Sequence, residues 1–173
     1  MKDEKMNIKI RTYVEKDIES IVHLSLLAWE PVFDSFEAVL GPKIYSILYP
    51  DWRQGQADGV EKTCQDQEKF RTLVAEVEDK VVGFLTYELN QENQNGEVQL
   101  LAVHPDYQND GIGTELNLIA LQKMKAAGMK LAVVGTGGDE GHAPARRLYE
   151  KAGFMILAVK VENQLCFLGA FTA

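Results

Sequence analysis

From Leu100 the chain reads Leu100-Leu101-Ala102-Val103-His104-Pro105, then Gln108-Asn109-Asp110-Gly111-Ile112-Gly113-Thr114. The apolar run predicts a buried strand, and Pro105, with no N–H for a ladder, ends it. Leu116, Leu118, Ile119 and Leu121 then recur at helical spacing. Two glycines at the junction allow a sharp turn or a close backbone approach. A strand, a glycine-bearing turn and a helix N-terminus make an anion site, because unpaired N–H groups point outward and the dipole favours negative charge. The chemistry this suits is phosphate binding. The segment lacks the Lys-Ser/Thr ending of a P-loop and the three-glycine spacing of a dinucleotide fingerprint. On spacing alone, phosphate binding and a purely structural turn both stand.

A second segment narrows the choice: Ala143-Pro144-Ala145-Arg146-Arg147-Leu148-Tyr149-Glu150-Lys151-Ala152-Gly153-Phe154. Pro144 suits a first helical turn and Gly153 a helix C-terminus, with a strand expected from Phe154 to Val161. Together the two segments resemble the GNAT-family N-acetyltransferases, which move an acetyl group from acetyl-CoA to an amine. The matching residues are Val103-x-Pro105, Gln108-x-x-Gly111-x-Gly113 and Ala145-x-x-Leu148-Tyr149-Glu150-Lys151-x-Gly153-Phe154. The opening Ile10-Arg11-x-Tyr13, Asp17, Ile21 and Leu24 also matches, so the resemblance runs from Ile8 to Phe171.

The resemblance implies that the donor's pyrophosphate lies on the N–H groups of Gln108, Asn109, Asp110, Gly111, Ile112, Gly113 and Thr114. It places the acetyl carbonyl and pantetheine along Leu101, Ala102 and Val103, where the strand splays from its neighbour and frees N–H groups for the ligand. Amide formation from a thioester needs a neutral amine, oxyanion stabilisation and a proton for the departing thiolate. Tyr149 is the expected general acid near the sulfur, its alternative being a helix tyrosine packed by its ring. Glu97 is the expected general base. Period-2 alternation puts Glu97, Gln99, Leu101 and Val103 on one face, and an exposed strand-start glutamate is the other reading. Two departures from the family pattern stand out. Asn109-Asp110 occupies a place that often carries a basic residue, which disfavours the phosphates unless Asp110 points outward or Arg146 compensates. His142, seven residues before Tyr149, stands where many relatives have a pantetheine-bonding asparagine; histidine can substitute, or serve as the base instead. Before it, the glycine-rich Gly135-Thr136-Gly137-Gly138-Asp139 is either a groove-shaping close approach or a flexible surface loop.

Composition sets the bounds. The 173 residues fit one domain, 1–173. No apolar run reaches the ~20 residues of a membrane span. Met1-Lys2-Asp3-Glu4-Lys5 lacks a signal peptide's apolar core, so a cytoplasmic address is expected. Cys64 and Cys166 lack metal-ligand spacing and are expected as reduced thiols, the second in a core strand; no metal is expected. A net charge of −8 argues against a nucleic-acid partner. The same acidity either concentrates a cationic acceptor or merely keeps the chain soluble.

The elements that must position these residues follow from pattern. Strands are expected at Ile8–Tyr13, Leu73–Val77, Val81–Leu89 (a hairpin around Glu78-Asp79-Lys80), from Glu97, at Lys130–Gly135 and at Leu165–Phe171. Asp17–Trp29 reads as a helix and Pro31–Tyr49 as helix in pieces, broken at Gly41-Pro42. Pro50–Gly59 reads as a turn-rich stretch before a helix-prone piece to Phe70. The expected class is α+β: a mixed, mostly antiparallel twisted sheet of about seven strands, flanked by helices. The segment from Trp29 to Phe70 exceeds what the bare fold needs and is expected to wall the acceptor pocket. Trp29, Phe33, Phe36 and Tyr45 are there either cation walls or core. His23 is expected as a partly buried packing residue. His104 either touches the donor pocket or simply ends its strand. An edge strand at Leu165–Phe171 would suit a homodimer. The leading function is acetyl transfer from acetyl-CoA to a primary amine of a small molecule or protein, without metal or membrane partner. The alternative is a non-catalytic acyl-CoA-binding or regulatory module, and a third reading has the loop hold another phosphorylated metabolite.

Overall fold

The computed structural model describes residues 6–159 and 164–170, with the backbone alone for 157–159 and 164–170. The strands are β1 (Lys9–Thr12), β2 (Phe70–Val77), β3 (Lys80–Asn90), β4 (Asn95–Val103), β5 (Leu131–Gly137), β6 (Met155–Val159) and β7 (Gln164–Ala170). The helices are α1 (Ile18–Leu48), α2 (Trp52–Gln65), α3 (Ile112–Ala126) and α4 (Ala143–Lys151). The strands form one sheet in the order β1-β2-β3-β4-β5-β7-β6. Only β4 and β5 run parallel, so the mixed, mostly antiparallel α+β sheet expected from sequence is what forms. Met1–Lys5, Val161 and Phe171, which the sequence reading included, lie outside the described residues.

The hairpin between β2 and β3 turns on Glu78 and Asp79, with φ of 49° and 60°. Both central residues in the left-handed region match the right-handed strand twist, as a two-residue hairpin requires. Each face of the sheet is then covered by a helix pair. On one face Ile21 and Leu24 of α1 and Val60 and Cys64 of α2 pack against Val74, Phe84 and Ala102. On the other, Leu116, Ala120 and Met124 of α3 and Tyr149 of α4 pack with Leu85, Tyr87 and Val98.

Several expectations change. Pro50–Gly59 is not an open turn: α2 begins at Trp52, capped by the Asp51 carboxylate, which accepts from the Gln54 N–H at 3.1 Å. Gly55 and Gly59 weaken the sequence signal, but Val60 and Cys64, four residues apart, bury one helical face. Helix α1 passes through Pro31 and breaks only at Gly41, whose φ of 74° and ψ of 157° are not helical. His23 is exposed, not a packing residue. Strand β7 is not an edge: it pairs with β5 on one side and β6 on the other, so β6 borders the sheet.

The start of α1 is tied to the sheet through Arg11. Its Nη1 and Nη2 donate to the two oxygens of Asp17 at 2.7 and 2.8 Å, and Nε donates to Glu76 at 2.8 Å. Asp17, only 3% exposed, also accepts from the Val14 N–H at 2.9 Å. Burial pushes the Asp17 carboxyl up, but these hydrogen bonds outweigh it and hold it below its usual range. Hydrogen bonding to Arg11 likewise lowers Glu76. Depressed carboxyl groups contribute stability that is present above their unfolded value, near pH 4, and lost as pH falls through the folded one. Asp17→Asn should therefore cost ~2–4 kcal/mol at pH 7, because it leaves Arg11 short of a buried partner. Urea titrations should show the gap to wild type narrowing below about pH 4. A gap constant with pH would contradict this role.

Candidate active site

Strand β4 is paired to β3 along its length but to β5 only in part. The parallel ladder joins Asn95–Val98 to Leu131–Val134 and goes no further. Gly135, Thr136 and Gly137 pair instead with Cys166, Leu165 and Gln164 of β7. A cleft thus opens between residues 99–103 and 135–137, and β4 backbone groups on that side have no ladder partner in β5. The splay expected at Leu101–Val103 is there.

The β3 ladder shifts register at the same place. Leu100 lies opposite Thr86 while Val98 lies opposite Tyr87, so Gln99 is an inserted residue. Such a bulge bends the strand and resets its alternation. Val98, Leu101 and Val103 pack on the α3 face, whereas Leu100 and Ala102 pack on the α1 face. Gln99 reaches Glu88 with its Nε2 at 3.2 Å, and Glu88 pairs with Lys69 at 3.4 Å. The shared face expected for Glu97, Gln99, Leu101 and Val103 is therefore wrong. Glu97, next to Val98 in the regular part of the strand, belongs with Gln99 on the α1 side. Leu101 and Val103 belong to the other.

Past the cleft, His104 closes the strand. Its Nδ1 accepts from the Asp106 N–H at 3.2 Å, heading a 3₁₀ turn at Pro105–Tyr107. The Gln108 side chain donates to the Val103 carbonyl at 3.0 Å, so it braces the loop. Asn109 and Gly111 take φ of 71° and 85°. The first intrahelical bond of α3 runs from the Glu115 N–H to the Gly111 carbonyl at 3.0 Å, so the amides of Ile112, Gly113 and Thr114 have no acceptor within the helix. Their side chains do other work. Ile112 is core, and a Cβ on Gly113 would lie 2.9 Å from Leu148 of α4. Asn109, Asp110, Gly111 and Thr114 are exposed. The loop presents backbone amides to any anion, and Asp110 on it is exposed to solvent.

Helix α4 carries Tyr149 into the α3-face core. The residue is 4% exposed and meets Phe154 edge-on at 5.6 Å. Burial pushes its phenol well above the ordinary value, so it stays protonated across the physiological range. Arg146 is turned to the glycine-rich loop: its Nη1 donates to the carbonyls of Gly137 and Asp139 at 2.8 and 2.6 Å. That is a clamp on the end of β5, and this nitrogen is not available to offset Asp110.

The clamped loop holds a pair that sequence reasoning did not join. His142 Nδ1 lies 2.6 Å from Asp139 Oδ2, with both side chains largely buried. Burial raises the Asp139 carboxyl, but hydrogen bonding and charge from His142, with the Ser35 hydroxyl, hold it below its ordinary range. The glycines here are close approaches. A Cβ on Gly137 would fall 2.2 Å from His142 Nδ1, and one on Gly141 would fall 2.7 Å from Val32 Cα. From α1, Phe36 lies 6.0 Å from the His142 ring. Phe36 also stacks on Tyr49, and Phe33 stacks on Trp52 at 4.2 Å. Tyr45, Tyr49 and Trp52, with Asp34, Glu37 and Asp51, line a recess of about 330 Å³. Of the expected aromatic walls, Trp29 and Phe33 pack into the protein, Phe36 borders the dyad and Tyr45 faces the recess.

The sequence profile of the acetyltransferase (GNAT) family matches residues 41–154. The chain belongs to this family. Among curated relatives, it is 26% identical over 165 residues to mycothiol acetyltransferase of Saccharomonospora viridis, covering 90% of this chain and 48% of that protein. The chain thus spans about half the length of that relative. Another mycothiol acetyltransferase, from Thermomonospora curvata, is 34% identical over 92 residues, 53% of this chain and 30% of its own. Among solved structures, PaiA N-acetyltransferase from Thermoplasma acidophilum, in complex with coenzyme A, superposes with a TM-score of 0.77 at 16% identity, covering 96% of this chain and all of that one. Aminoglycoside 6'-acetyltransferase type Ii gives 0.69 at 19% identity, over 94% and 96% of the two chains. No helix among the described residues is long and apolar enough to cross a membrane.

Asp139 was legible only as a neighbour of His142: the i, i+3 spacing was visible, but not the loop that folds one onto the other. Tyr49 and Trp52 were hidden because the helix start at Asp51 was read as turn. The Arg146 clamp is testable. A hydrogen bond from a charged group is worth ~1.5–3 kcal/mol, so Arg146→Met should speed amide exchange at residues 137–142 by ~10–100-fold. Unchanged exchange would mean that other contacts hold the loop.

Proposed function

We propose that this chain transfers the acetyl group of acetyl-CoA to a primary amine by direct attack on the thioester. The observation that carries this reading is the cleft where the β4–β5 ladder stops, beside a helix N-terminus whose first amides are open to an anion. The two features suit the two ends of the donor: a phosphate chain on the loop from Gln108 to Thr114, and an extended amide-bearing arm along Leu101 to Val103. The coenzyme A complex of the Thermoplasma structure supports the same choice of donor.

The amine's lone pair attacks the carbonyl carbon, the C–S bond breaks, and the thiolate leaves with its electron pair. Cleft amides of β4 are suited to the developing oxyanion. Tyr149, kept protonated by burial, is suited to donate toward the sulfur. A phenol raised above ~10 gives up its proton fully only to a thiolate whose own basicity is also raised above its usual ~8.5, so desolvation of the sulfur belongs to the mechanism. Glu97 and His142 are the candidate acceptors for the amine's proton. On the acceptor side, the recess combines aromatic faces with three carboxylates and one guanidinium, that of Arg53 over the Trp52 ring, and this excess of carboxylates is suited to a cationic amine. A ring of contacts through Tyr49 and Phe36 links it to His142.

Calorimetry with acetyl-CoA, desulfo-CoA and ATP tests the donor. Micromolar binding confined to the CoA compounds is expected, and Gly111→Glu should abolish it in a folded protein, since that position has positive φ and lies in the loop proposed to hold the phosphates. Binding that survives would displace the pyrophosphate from this loop. Tyr149→Phe should lower kcat by about 100-fold with little change in the Kd of acetyl-CoA. Full binding by wild type without transfer to any amine would instead favour the non-catalytic acyl-CoA-binding module.

A further inference from the structure

We propose that His142 is the base that takes the proton of the attacking amine at Nε2, and that Asp139 is its positioning residue. This rests on the acetyl-transfer reading. The assignment starts from strand register. Val98 and Val134 are the last aligned pair of the parallel β4–β5 ladder. Counting three rungs onward, with the inserted Gln99 left out, puts Gly137 level with Ala102, across the open cleft. His142 packs directly on Gly137, with no room for a Cβ between them. The imidazole is thus held at the level of the strand segment suited to the acetyl carbonyl. Glu97 sits four rungs back from that level, about 13 Å along the strand, where β4 is still paired on both sides.

The faces also agree. The dyad lies on the α1 side, against Phe36, and the Gly141 backbone abuts Pro31 and Val32. Tyr149 is in the core on the α3 side. An amine entering from the α1 side meets a base there, while the sulfur leaves toward the phenol. One proton passes from the ammonium to Nε2 and on to solvent. The second is lost as the tetrahedral adduct collapses and goes to the thiolate, so each turnover consumes an ammonium and a thioester and yields an amide, a thiol and one proton.

Asp139 makes this possible through the tautomer. A carboxylate can only accept, so the 2.6 Å contact requires the proton on Nδ1 and leaves the Nε2 lone pair bare. Arg146 fixes the loop by holding the carbonyls of Gly137 and Asp139. Around the imidazole, its own loop contributes the Asp139 carboxylate, α4 the Arg146 guanidinium, and α1 the Ser35 hydroxyl and Phe36 ring, with Asp34 and Glu37 beside them at the recess. Strand β5 contributes only Gly135, Thr136 and Gly137.

The test has two arms on the full chain. In the first, two-bond ¹H–¹⁵N spectra of the three histidines are recorded against pH, with His142 assigned by its loss in His142→Gln. Wild type should show neutral His142 protonated at Nδ1, and Asp139→Asn should lose that preference, with the Nε2-protonated tautomer appearing. In the second, acetyl-CoA consumption is followed against pH with 1,4-diaminobutane, phenylethylamine and lysine amide as probe amines. Asp139→Asn should cut kcat by about 30-fold or more, with KM for acetyl-CoA within about twofold. Asp139→Glu should restore most of the rate, and His142→Gln should remove the acidic limb of kcat/KM. An Nε2-protonated His142 in wild type, or an Nδ1 tautomer unchanged in Asp139→Asn, overturns the positioning role. A limb that persists in His142→Gln, or disappears in Glu97→Gln, overturns the base assignment alone. A wild type that binds acetyl-CoA but acetylates no probe amine overturns it together with the transfer reading.

Discussion

Strand β4 must satisfy two neighbours, and beyond Val98 it satisfies only one. The bulge at Gln99 adds a residue against β3 and turns the strand, while β5 is drawn to its antiparallel partner β7. The parallel ladder cannot follow both. Buried backbone groups left without partners cost free energy, so such a cleft persists only where something else supplies hydrogen bonds. An extended ligand bearing its own amides meets that need as an added strand would. The groove proposed for the donor is therefore a defect in pairing that the rest of the fold maintains.

What maintains it is the division of the sheet into two faces. Helix α3 must begin close to the end of β4 for its first amides to flank the groove, and Gly113 permits α4 to pack against that first turn. On the opposite face, α1 is fixed at its start by the Arg11 network and at its middle by the Gly141 backbone against Pro31 and Val32. Phe33 and Phe36 follow directly after the second anchor on the same helix. A base presented by the β5–α4 loop can then have a fixed relation to a pocket built on α1 and α2, although the two share few sequence-local contacts.

The strand end, turn and helix start proposed for the donor were legible because their requirements are local. A strand end, a proline, two glycines and a helical repeat occupy consecutive positions, and each has one physical reading. The hairpin at Glu78-Asp79 was legible for the same cause. The acceptor side was not. Period-2 alternation assumes an unbroken strand, and nothing about Gln99 announces an inserted residue; the shift is set by the partner strand. Helix α2 was obscured by Gly55 and Gly59, whose weak propensity is overridden by burial of Val60 and Cys64. The order β5-β7-β6 was out of reach because a hairpin's two strands look alike from sequence, and only the twist and the free edge of β5 decide which docks. Asp139 and His142 were visible as residues but not as a pair.

Asp110 and His142, the two departures from the usual family pattern, bear on different halves of the reaction. Asp110 is exposed on the anion loop, where solvent screens it over a Debye length of about 8 Å in physiological salt. The favourable dipole and amide terms at the α3 N-terminus are worth ~0.3–1 kcal/mol each even at exposed sites, and they act at contact distance. An acid placed there weakens the donor site without reversing its sign. His142 lies inside, against Gly137 and Asp139, where screening is poor and a change of side chain alters which groups can hold a proton. An asparagine at that position could orient an amide but could never titrate. Exchange of one for the other keeps a hydrogen-bonding side chain at the mouth of the cleft while adding a proton acceptor. The structural cost is a carboxylate to fix the ring and glycines at 137 and 141 to let it fit, and all three are in place.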